Sequence, residues 1–398
     1  MKQLSYRVRF STPAFLGDAE QNGRWRTPPF KALLRQWWRV AYAADHGFQV
    51  NAGEMRREEG FLFGNAWLSH HEGNREVADH RKSLVRIRLD RWDAGTLRSW
   101  AGSDLSVTHP EVKNREGRVV PVGSQLYLGY GPLGFNRGTA LKANAPIQAG
   151  ETAALSIAFP TTLPAPALAR LLQENTPRIL HAVWLIDRYA TVGGRSRNGW
   201  GSFSLDPLPP GDGGGEGAAL AGGTPLRPWR DALNLDWPHA IGDDGKPLIW
   251  QTCAFDGWNQ LMRELAIVKI GLRTQFVFPN ARPPHQNVEP RHWQSYPITK
   301  HTTYAWDRGA RLPNSLRFKV RPDADDPAKL VGVIVHVPCQ PPATFGGTSR
   351  AIAPTWQTVH ALLDELTRQP PSRTYPSISD AGRRAQLKPQ LDLSLIHI

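Results

Sequence analysis

The sequence predicts an α+β fold, and two features of its hydrophobic pattern support this prediction. Short segments in which apolar and polar residues alternate, as in residues 4–10 (LSYRVRF), have the period of half-buried strands. Longer segments, as in residues 27–47, carry apolar residues at the 3.6-residue period of an amphipathic helix. Because 40% of the residues are hydrophobic, the chain can bury a substantial core.

The elements of the first half follow one another in a recognisable order. The predicted elements are a strand at 4–10, a helix at 27–47, strands at 83–92 and 155–159 with a shorter candidate at 125–128, helices at 165–174 and 177–189, and a last strand at 200–205. The two helical segments are separated at Pro177, since the residue before a proline tends to leave the helical region. This βαββαβ order is that of a ferredoxin-like (RRM-like) domain.

The same coarse pattern recurs in the second half. Its predicted elements are a strand at 248–254, a helix at 258–268, a strand pair at 315–320 and 330–337, and a helix at 355–367. We therefore predict two ferredoxin-like domains with long insertions and loops, at 1–206 and 247–392, joined by a Gly/Pro-rich linker at 207–246. The long, basic, Pro-rich segment 271–312 is predicted to be an ordered insertion, and no role is assigned to it.

The two ends of the chain carry few features. Residues 393–398 (LSLIHI) resemble a translated sequencing adapter, so we interpret them as an assembly artefact and the second domain as truncated. The N-terminus has no apolar leader segment, and no stretch is long and apolar enough to span a membrane. Cys253 and Cys339 are too few for a disulfide framework or a cysteine zinc site. We expect a cytoplasmic protein without a membrane partner.

The charge balance is strongly basic. Lys and Arg number 48 against 35 Asp and Glu, which leaves a net charge of +13. Such a field favours polyanions as partners. A GC-rich genome also produces an excess of arginine, so the placement of the cations matters more than their number.

The first concentration of cations lies on the predicted helix 27–47. Lys31, Arg35 and Arg39 are spaced at i, i+4 and i+8, and they form one cationic row. Like charges in this row repel one another, and a phosphodiester backbone would compensate them. Arg24 and Arg26 extend the positive charge upstream. The neighbouring tryptophans differ: Trp37 lies on the apolar stripe and should be core, whereas Trp38 either stacks on a base or packs inside.

The second concentration is a glycine-rich loop at 193–203 (GGRSRNGWGSF). Glycines reach positive φ and allow another chain to approach closely, and consecutive amides can bind an anion. Arg195 and Arg197 add long-reach cations, and Asn198 can donate to a phosphate or a base edge. The predicted RNA-binding residues are therefore Arg24, Arg26, Lys31, Arg35, Trp38, Arg39, Gly193, Gly194, Arg195, Ser196, Arg197, Asn198 and Gly199.

Motifs of catalysis and of cofactor binding are absent from the sequence. It has no P-loop, Rossmann fingerprint, HExxH or G-x-S-x-G, so we predict no catalytic residue, metal or cofactor. His70, His71 and His80 are interpreted as surface residues. His301, close in sequence to Lys300 and Tyr304, is a weak candidate for a metal-independent ribonuclease, a reaction that needs only acid and base groups around a 2′-hydroxyl.

The two cationic regions together resemble the RAMP superfamily of CRISPR-associated RNA-binding proteins, and most of all its subunit-one family in the type III-B (Cmr) effector complex. The resemblance rests on STPAFLGDAEQNGRWRTPPFKALLRQWWR and on GGRSRNGWGSF, with a weaker match at RLPNSLRFKV (311–320). The glycine-rich stretch is at the place where that superfamily carries its glycine-rich loop, between the second helix and the last strand.

The resemblance implies a non-catalytic subunit with guide RNA, target RNA and other RAMP subunits as partners. It would bind near the 3′ part of the guide RNA and help to engage target RNA in antiviral defence. Two alternatives stay open at this point. One is a RAMP endoribonuclease that processes guide RNA precursor, and the other is a basic α+β protein that binds no RNA.

Overall fold

The structure is a computed structural model. It describes residues 2–20, 22–78, 80–100, 104–142, 146–163, 165–209, 217–279, 283–368 and 396–397.

The secondary structure alternates between strands and helices in both halves. The first half contains β1 (Lys2–Phe10), α1 (Thr27–Asp45), α2 (Ala52–Phe63), β2 (Ser69–Glu72), β3 (Arg75–Ala78), β4 (Arg86–Leu89), β5 (Ser106–Lys113), β6 (Val119–Gly123), α3 (Ser124–Gly129), β7 (Leu133–Phe135), β8 (Thr139–Leu141), β9 (Thr152–Phe159), α4 (Pro166–Tyr189) and β10 (Phe203–Pro207). The second half contains β11 (Leu226–Pro228), α5 (Trp229–Ala232), β12 (Ile241–Asp243), β13 (Ile249–Gln251), α6 (Trp258–Thr274), α7 (Pro290–Gln294), β14 (Leu316–Pro322), β15 (Leu330–His336), a 3-10 turn (Ala343–Phe345), α8 (Ser349–Arg368) and β16 (Ile396–His397).

The main sheet of the first half has the strand order β10-β1-β9-β4, and every neighbouring pair is antiparallel. β1 alternates as predicted, with Tyr6, Val8 and Phe10 fully buried or nearly so. Helices α1 and α4 pack against each other, and their apolar faces join the sheet in one hydrophobic core. The predicted order of strands and helices is therefore present, with α2 and the hairpins β2–β3, β5–β6 and β7–β8 inserted between its members.

The main sheet of the second half has the order β14-β15-β13-β16 and is also antiparallel. Helices α6 and α8 contribute to a second core with its strands. The edge strand β16 lies within the segment interpreted as an artefact, so the structure gives part of that segment a place beside β13; residues 393–395 and 398 lie outside the described residues. Val333 and Val335 of β15 belong to the first core, so the two halves are packed together.

Two local predictions in the first half are wrong. Helix α4 runs through Pro177 without a break, and just before it Asn175 and Thr176 donate side-chain hydrogen bonds to the carbonyls of Leu171 and Leu172 at 3.0 and 2.7 Å. The strand candidate at 125–128 is helix α3. Asp104 accepts hydrogen bonds from the first amides of this helix, so a carboxylate about 20 residues away caps it.

The predicted linker 207–246 contains structure at its end. Residues 226–243 form the parallel strand pair β11–β12 and the single helical turn α5. Residues 210–216 lie outside the described residues.

Candidate nucleic-acid interface

The cationic row on α1 already has a partner in the protein. Arg35 donates to Glu59 of α2 at 2.7 Å, and Arg39 makes two hydrogen bonds of 2.8 Å to the same carboxylate. Glu59 is only 3% exposed. The sequence pattern suggested that a phosphodiester compensates this row; inside the protein, one carboxylate is shared by Arg35 and Arg39, and RNA contact by these two residues stays a prediction. The compensating anion is a buried glutamate on a helix that was not predicted.

Trp38 is part of the core. Its side chain is fully buried, it packs against Tyr42 and Phe63 with ring centroids 5.1 and 5.9 Å away, and its Nε1 donates to Asn175 Oδ1 at 3.1 Å. A ring without exposed surface cannot stack on a base, so the alternative of base stacking is wrong. Trp37 is also fully buried, as predicted.

The remaining cations of this region are partly engaged. Arg24 lies 3.8 Å from Asp18, and Arg26 donates to the carbonyl of Gly17. Lys31 is half-buried; burial, followed by the nearby charge of Arg35, lowers the pKa of its ammonium group. RNA contact by these three residues stays a prediction.

Glu59→Gln is expected to lower the free energy of unfolding by about 1–3 kcal/mol, because two arginines lose the charge that compensates them. The value is below the usual cost of breaking a fully buried pair, since Arg35 and Arg39 are partly exposed to water. Chemical denaturation measures it, with the exposed Glu54→Gln on the same helix as a control that changes stability by less than about 0.5 kcal/mol. If Glu59→Gln leaves the stability unchanged but weakens RNA binding, the cationic row is part of the RNA interface.

The glycine-rich loop connects α4 to β10, and its glycines bring it against the protein's own chain. Gly193 and Gly199 have φ angles of 93° and 90°. A Cβ on Gly193 would lie 2.7 Å from the carbonyl oxygen of Phe15, so only glycine fits there. Gly194 does not have positive φ, and a Cβ there would make contacts of 3.4 Å with Phe15 and Pro132, so this position does not require glycine.

The amides of this loop are largely used inside the protein. Gly194 donates to Phe15 O at 2.9 Å, Asn198 to Arg195 O at 2.9 Å, and Gly199 to Ser196 O at 3.1 Å. These three amides are therefore not available to an anion. What the loop offers to a ligand is its side chains.

The side chains of the loop divide into two kinds. Arg195 is exposed and has φ of 56°, which is unusual for a residue with a side chain. Arg197 is half-buried and its guanidinium donates to Asn314 O at 2.6 Å, while Asn198 donates to Leu128 O at 2.7 Å and accepts from Lys269. Arg195 is thus free to reach a ligand, and Arg197 and Asn198 also hold the loop to other segments.

Arg195, Ser196, Arg197 and Asn198 form one wall of a cleft of about 750 Å³, which we call the basic cleft. The lining also includes residues 295–300, Thr302 and 311–314, most of which belong to the insertion 271–312 that had no predicted role. Six cations line the cleft: Arg195, Arg197, Lys269, Arg273, Lys300 and Arg311. Among the described residues, no Asp or Glu lines it, and none of the six forms an ion pair with a carboxylate.

The cations at the bottom of the basic cleft repel one another. Burial lowers the pKa of Lys269 well below its usual range, and the charges of Arg273 and Arg195 lower it further. Burial also lowers the pKa of Arg273, an effect that Tyr127 opposes. Glu111 opposes this effect at Arg273 as well. The remaining repulsion between the cations would be reduced by an anion in the cleft.

Sequence reasoning missed Lys269, Arg273, Lys300 and Arg311 as site residues. The basic composition of 271–312 was a signal for the last three, but it did not indicate which surface they face. Lys269 lies in the apolar helix α6 and had no signal of its own.

The three residues of the ribonuclease candidate have different surroundings. The His301 ring stacks on Phe278 with centroids 4.0 Å apart, and its Nδ1 lies 3.0 Å from His285 Nε2. Tyr304 is 66% exposed, and Lys300 lines the basic cleft. Within the described ranges, no group of three His, Cys, Asp or Glu side chains is placed to hold a metal ion, and no helix is long and apolar enough to cross a membrane.

The structure thus combines an α+β fold with a cation-lined cleft beside a glycine-rich loop. No protein-family model matches the chain, and no curated protein matches it. Among solved structures, it is similar to Cmr1 from Pyrococcus furiosus (apo form), with 14% sequence identity, a TM-score of 0.40, and coverage of 84% of this chain and 88% of that chain.

The chain is also similar to a chain of the type III-B Cmr-beta complex bound to cognate target RNA, with 12% identity, a TM-score of 0.46, and coverage of 85% and 94%. A further Cmr-beta structure, bound to cognate target RNA and AMPPnP in the presence of ssDNA, gives 10% identity, a TM-score of 0.44, and coverage of 90% and 99%.

Proposed function

We propose that this protein is a non-catalytic RNA-binding subunit of a type III-B CRISPR effector complex, and that RNA binds in the basic cleft. The observation that carries the proposal is the set of six Lys and Arg side chains that line one cleft, with no Asp or Glu among the described lining residues. Phosphodiester groups repeat along a strand, so several of these cations can each meet a phosphate.

The shape of the cleft supports a strand rather than a small ligand. Its cations come from three separate parts of the chain, the glycine-rich loop, helix α6 and the segment 295–314, so the charge extends along the cleft. Tyr127 and Tyr130 lie in the same lining, and Tyr130 is 57% exposed. Exposed aromatic rings beside cations are what single-stranded RNA uses for stacking and charge contact.

The proposed fold of the subunit is two ferredoxin-like domains, 1–206 and 247–392, joined by the linker 207–246. The first sheet has its four main strands in the order fourth, first, third, second, and the second sheet has the same order read from the other edge. This order supports the proposal for the first half; in the second half the fourth strand, β16 (Ile396–His397), lies beyond the proposed domain bound at residue 392. The basic cleft then lies where the glycine-rich loop of the first domain meets strand β14 of the second, since Phe318 N donates to Arg197 O at 3.2 Å.

The position in the complex follows from the motifs. We place the subunit in the cytoplasm, next to other RAMP subunits, with the 3′ part of the guide RNA in or near the basic cleft and with a share in engaging target RNA. This role needs affinity for the RNA backbone and tolerance of its sequence, and both are properties of phosphate contact.

The salt dependence of RNA binding tests the proposal. If about five cations contact phosphates, the logarithm of the association constant should fall by roughly 3–4 per tenfold rise in salt, at ~0.7 per contact for single strands. Fluorescence anisotropy of a labelled octauridylate measures it. Repeat-containing RNA incubated with the protein without metal should stay intact. A flat salt response contradicts RNA binding in the cleft, and cleavage favours the endoribonuclease alternative.

A further inference from the structure

A smaller pocket of about 140 Å³, which we call the side pocket, opens beside the basic cleft. The two share Arg197, Leu312 and Pro313 in their linings. Drug-sized ligands occupy roughly 300–1,000 Å³, so the side pocket fits one ring system rather than a whole nucleotide. Trp293 and Trp356 contribute aromatic rings to its walls. A ring extruded from a strand in the cleft can therefore enter without the strand leaving it.

Arg317 lines the side pocket and lacks a partner. The residue is 7% exposed, and its Nε is buried without a hydrogen-bond acceptor. In the part of the chain that the structure describes, its guanidinium forms no hydrogen bond or ion pair; it only lies 5.3 Å from the centroid of the Trp37 ring. A buried guanidinium without an acceptor is costly, and a ligand acceptor would remove that cost.

The lining of the side pocket also includes groups that can accept hydrogen bonds. Asp236 supplies its one carboxylate, and Gln340 supplies an amide whose Nε2 already donates to Gly347 O at 2.9 Å. Gln340 N donates to Leu235 O at 2.8 Å, which fixes the backbone next to Asp236. The side pocket thus combines an unpartnered bidentate donor, a carboxylate acceptor and aromatic walls.

We propose that the side pocket binds one guanine base of the RNA strand held in the basic cleft. Guanine presents O6 and N7 as a pair of acceptors, which is the pattern that arginine reads in a bidentate manner, and its N1–H and N2–H₂ are donors that a carboxylate accepts. Adenine has an amino donor where guanine has O6, so it would meet Arg317 with a donor. This inference rests on the proposed function, because the strand in the cleft supplies the base.

The experiment uses Cys339, which lines the side pocket, as a reporter in a Cys253→Ser background. Burial raises the pKa of the Cys339 thiol, so alkylation by N-ethylmaleimide is followed at pH 8.5. The probes are octauridylate and octamers of uridine with one central guanosine or adenosine. We expect the guanosine octamer to slow alkylation by about tenfold more than the other two, and to bind about tenfold more tightly than the adenosine octamer, as one bidentate base contact allows.

Two variants locate the preference. Arg317→Met and Asp236→Asn should each remove the preference for guanosine and leave the salt-dependent binding of octauridylate unchanged. Asp236 is exposed, so its variant is expected to fold even if the buried Arg317 variant does not. Equal binding and equal protection by the guanosine and adenosine octamers would overturn the proposal, and so would a full guanosine preference in Asp236→Asn.

Free nucleotide is the control for the source of the base. Guanosine 5′-monophosphate that protects Cys339 at lower concentration than the guanosine octamer would overturn the assignment to a strand. Octauridylate separates this inference from the proposed function. If octauridylate binds with the expected salt slope and the central guanosine increases neither affinity nor protection of Cys339, only the side-pocket inference fails. If octauridylate does not bind, the proposed function fails as well.

Discussion

Trp38→Ala is expected to lower the free energy of unfolding by about 3–5 kcal/mol, the usual cost of truncating a buried large aromatic side chain. Trp38 has no exposed surface, and its removal opens a cavity between α1, Phe63 of α2 and Asn175 of α4. It also leaves Asn175 Oδ1 without one of its donors. Guanidinium denaturation followed by circular dichroism measures the loss.

Two further variants make this result specific. Trp38→Phe retains most of the ring volume and loses the hydrogen bond, so a smaller loss of about 1–2 kcal/mol is expected. Trp67→Ala removes a tryptophan that is 56% exposed and should change stability by less than about 0.5 kcal/mol. A stable Trp38→Ala protein with impaired RNA binding would mean that Trp38 is a stacking surface after all.

The case of Trp38 shows how far the sequence can predict the fold and where it stops. Hydrophobic periodicity identified α1, β1, α6 and β14 because each has one face that is apolar along its whole length. It could not predict whether a side chain at the edge of the apolar face is buried or exposed. Helix α2 covers this border, and its apolar pattern is too short and too interrupted by charges to predict a helix.

The cationic row and the basic cleft differ for the same reason. In the sequence, Lys31, Arg35 and Arg39 are a regular row and look like a binding surface, but Glu59 comes from another helix and compensates two of them. The cations of the cleft are dispersed in the sequence from Arg195 to Arg311, and folding brings them together in a lining that, among the described residues, contains no Asp or Glu. A charge pattern along one helix is local information, whereas the absence of a compensating anion depends on every segment that packs nearby.

Of the residues predicted to bind RNA, four of those in the glycine-rich loop line the basic cleft. Gly193 is required by close contact with Phe15, and Arg195 and Arg197 are part of the cleft lining. Even there, the sequence could not show that Arg197 is tied to Asn314 and Arg195 is free. Replacing Arg195 and Arg197 together would lower both the stability of the protein and its affinity for RNA. A test of the cleft alone must therefore leave Arg197 in place.

The triple change Arg195→Ala, Lys300→Ala and Arg311→Ala meets this condition, because all three residues are exposed and line the basic cleft. We expect the salt slope of octauridylate binding to fall by about 2, at ~0.7 for each lost phosphate contact, with a large loss of affinity at low salt. Thermal stability should be nearly unchanged, since exposed side chains away from special features contribute little.

The matched control removes the same number of charges elsewhere. Arg56, Arg115 and Arg170 are exposed and do not line the cleft, so their triple alanine variant lowers the net charge equally. If RNA is attracted only by the overall positive field, both triple variants weaken binding to the same extent. If the strand occupies the cleft, the control keeps nearly the full slope while the cleft variant loses about two units of it. Equal slopes in the two variants would contradict binding in the cleft, because phosphate contacts made at those three side chains cannot be lost without a change in the number of counterions released.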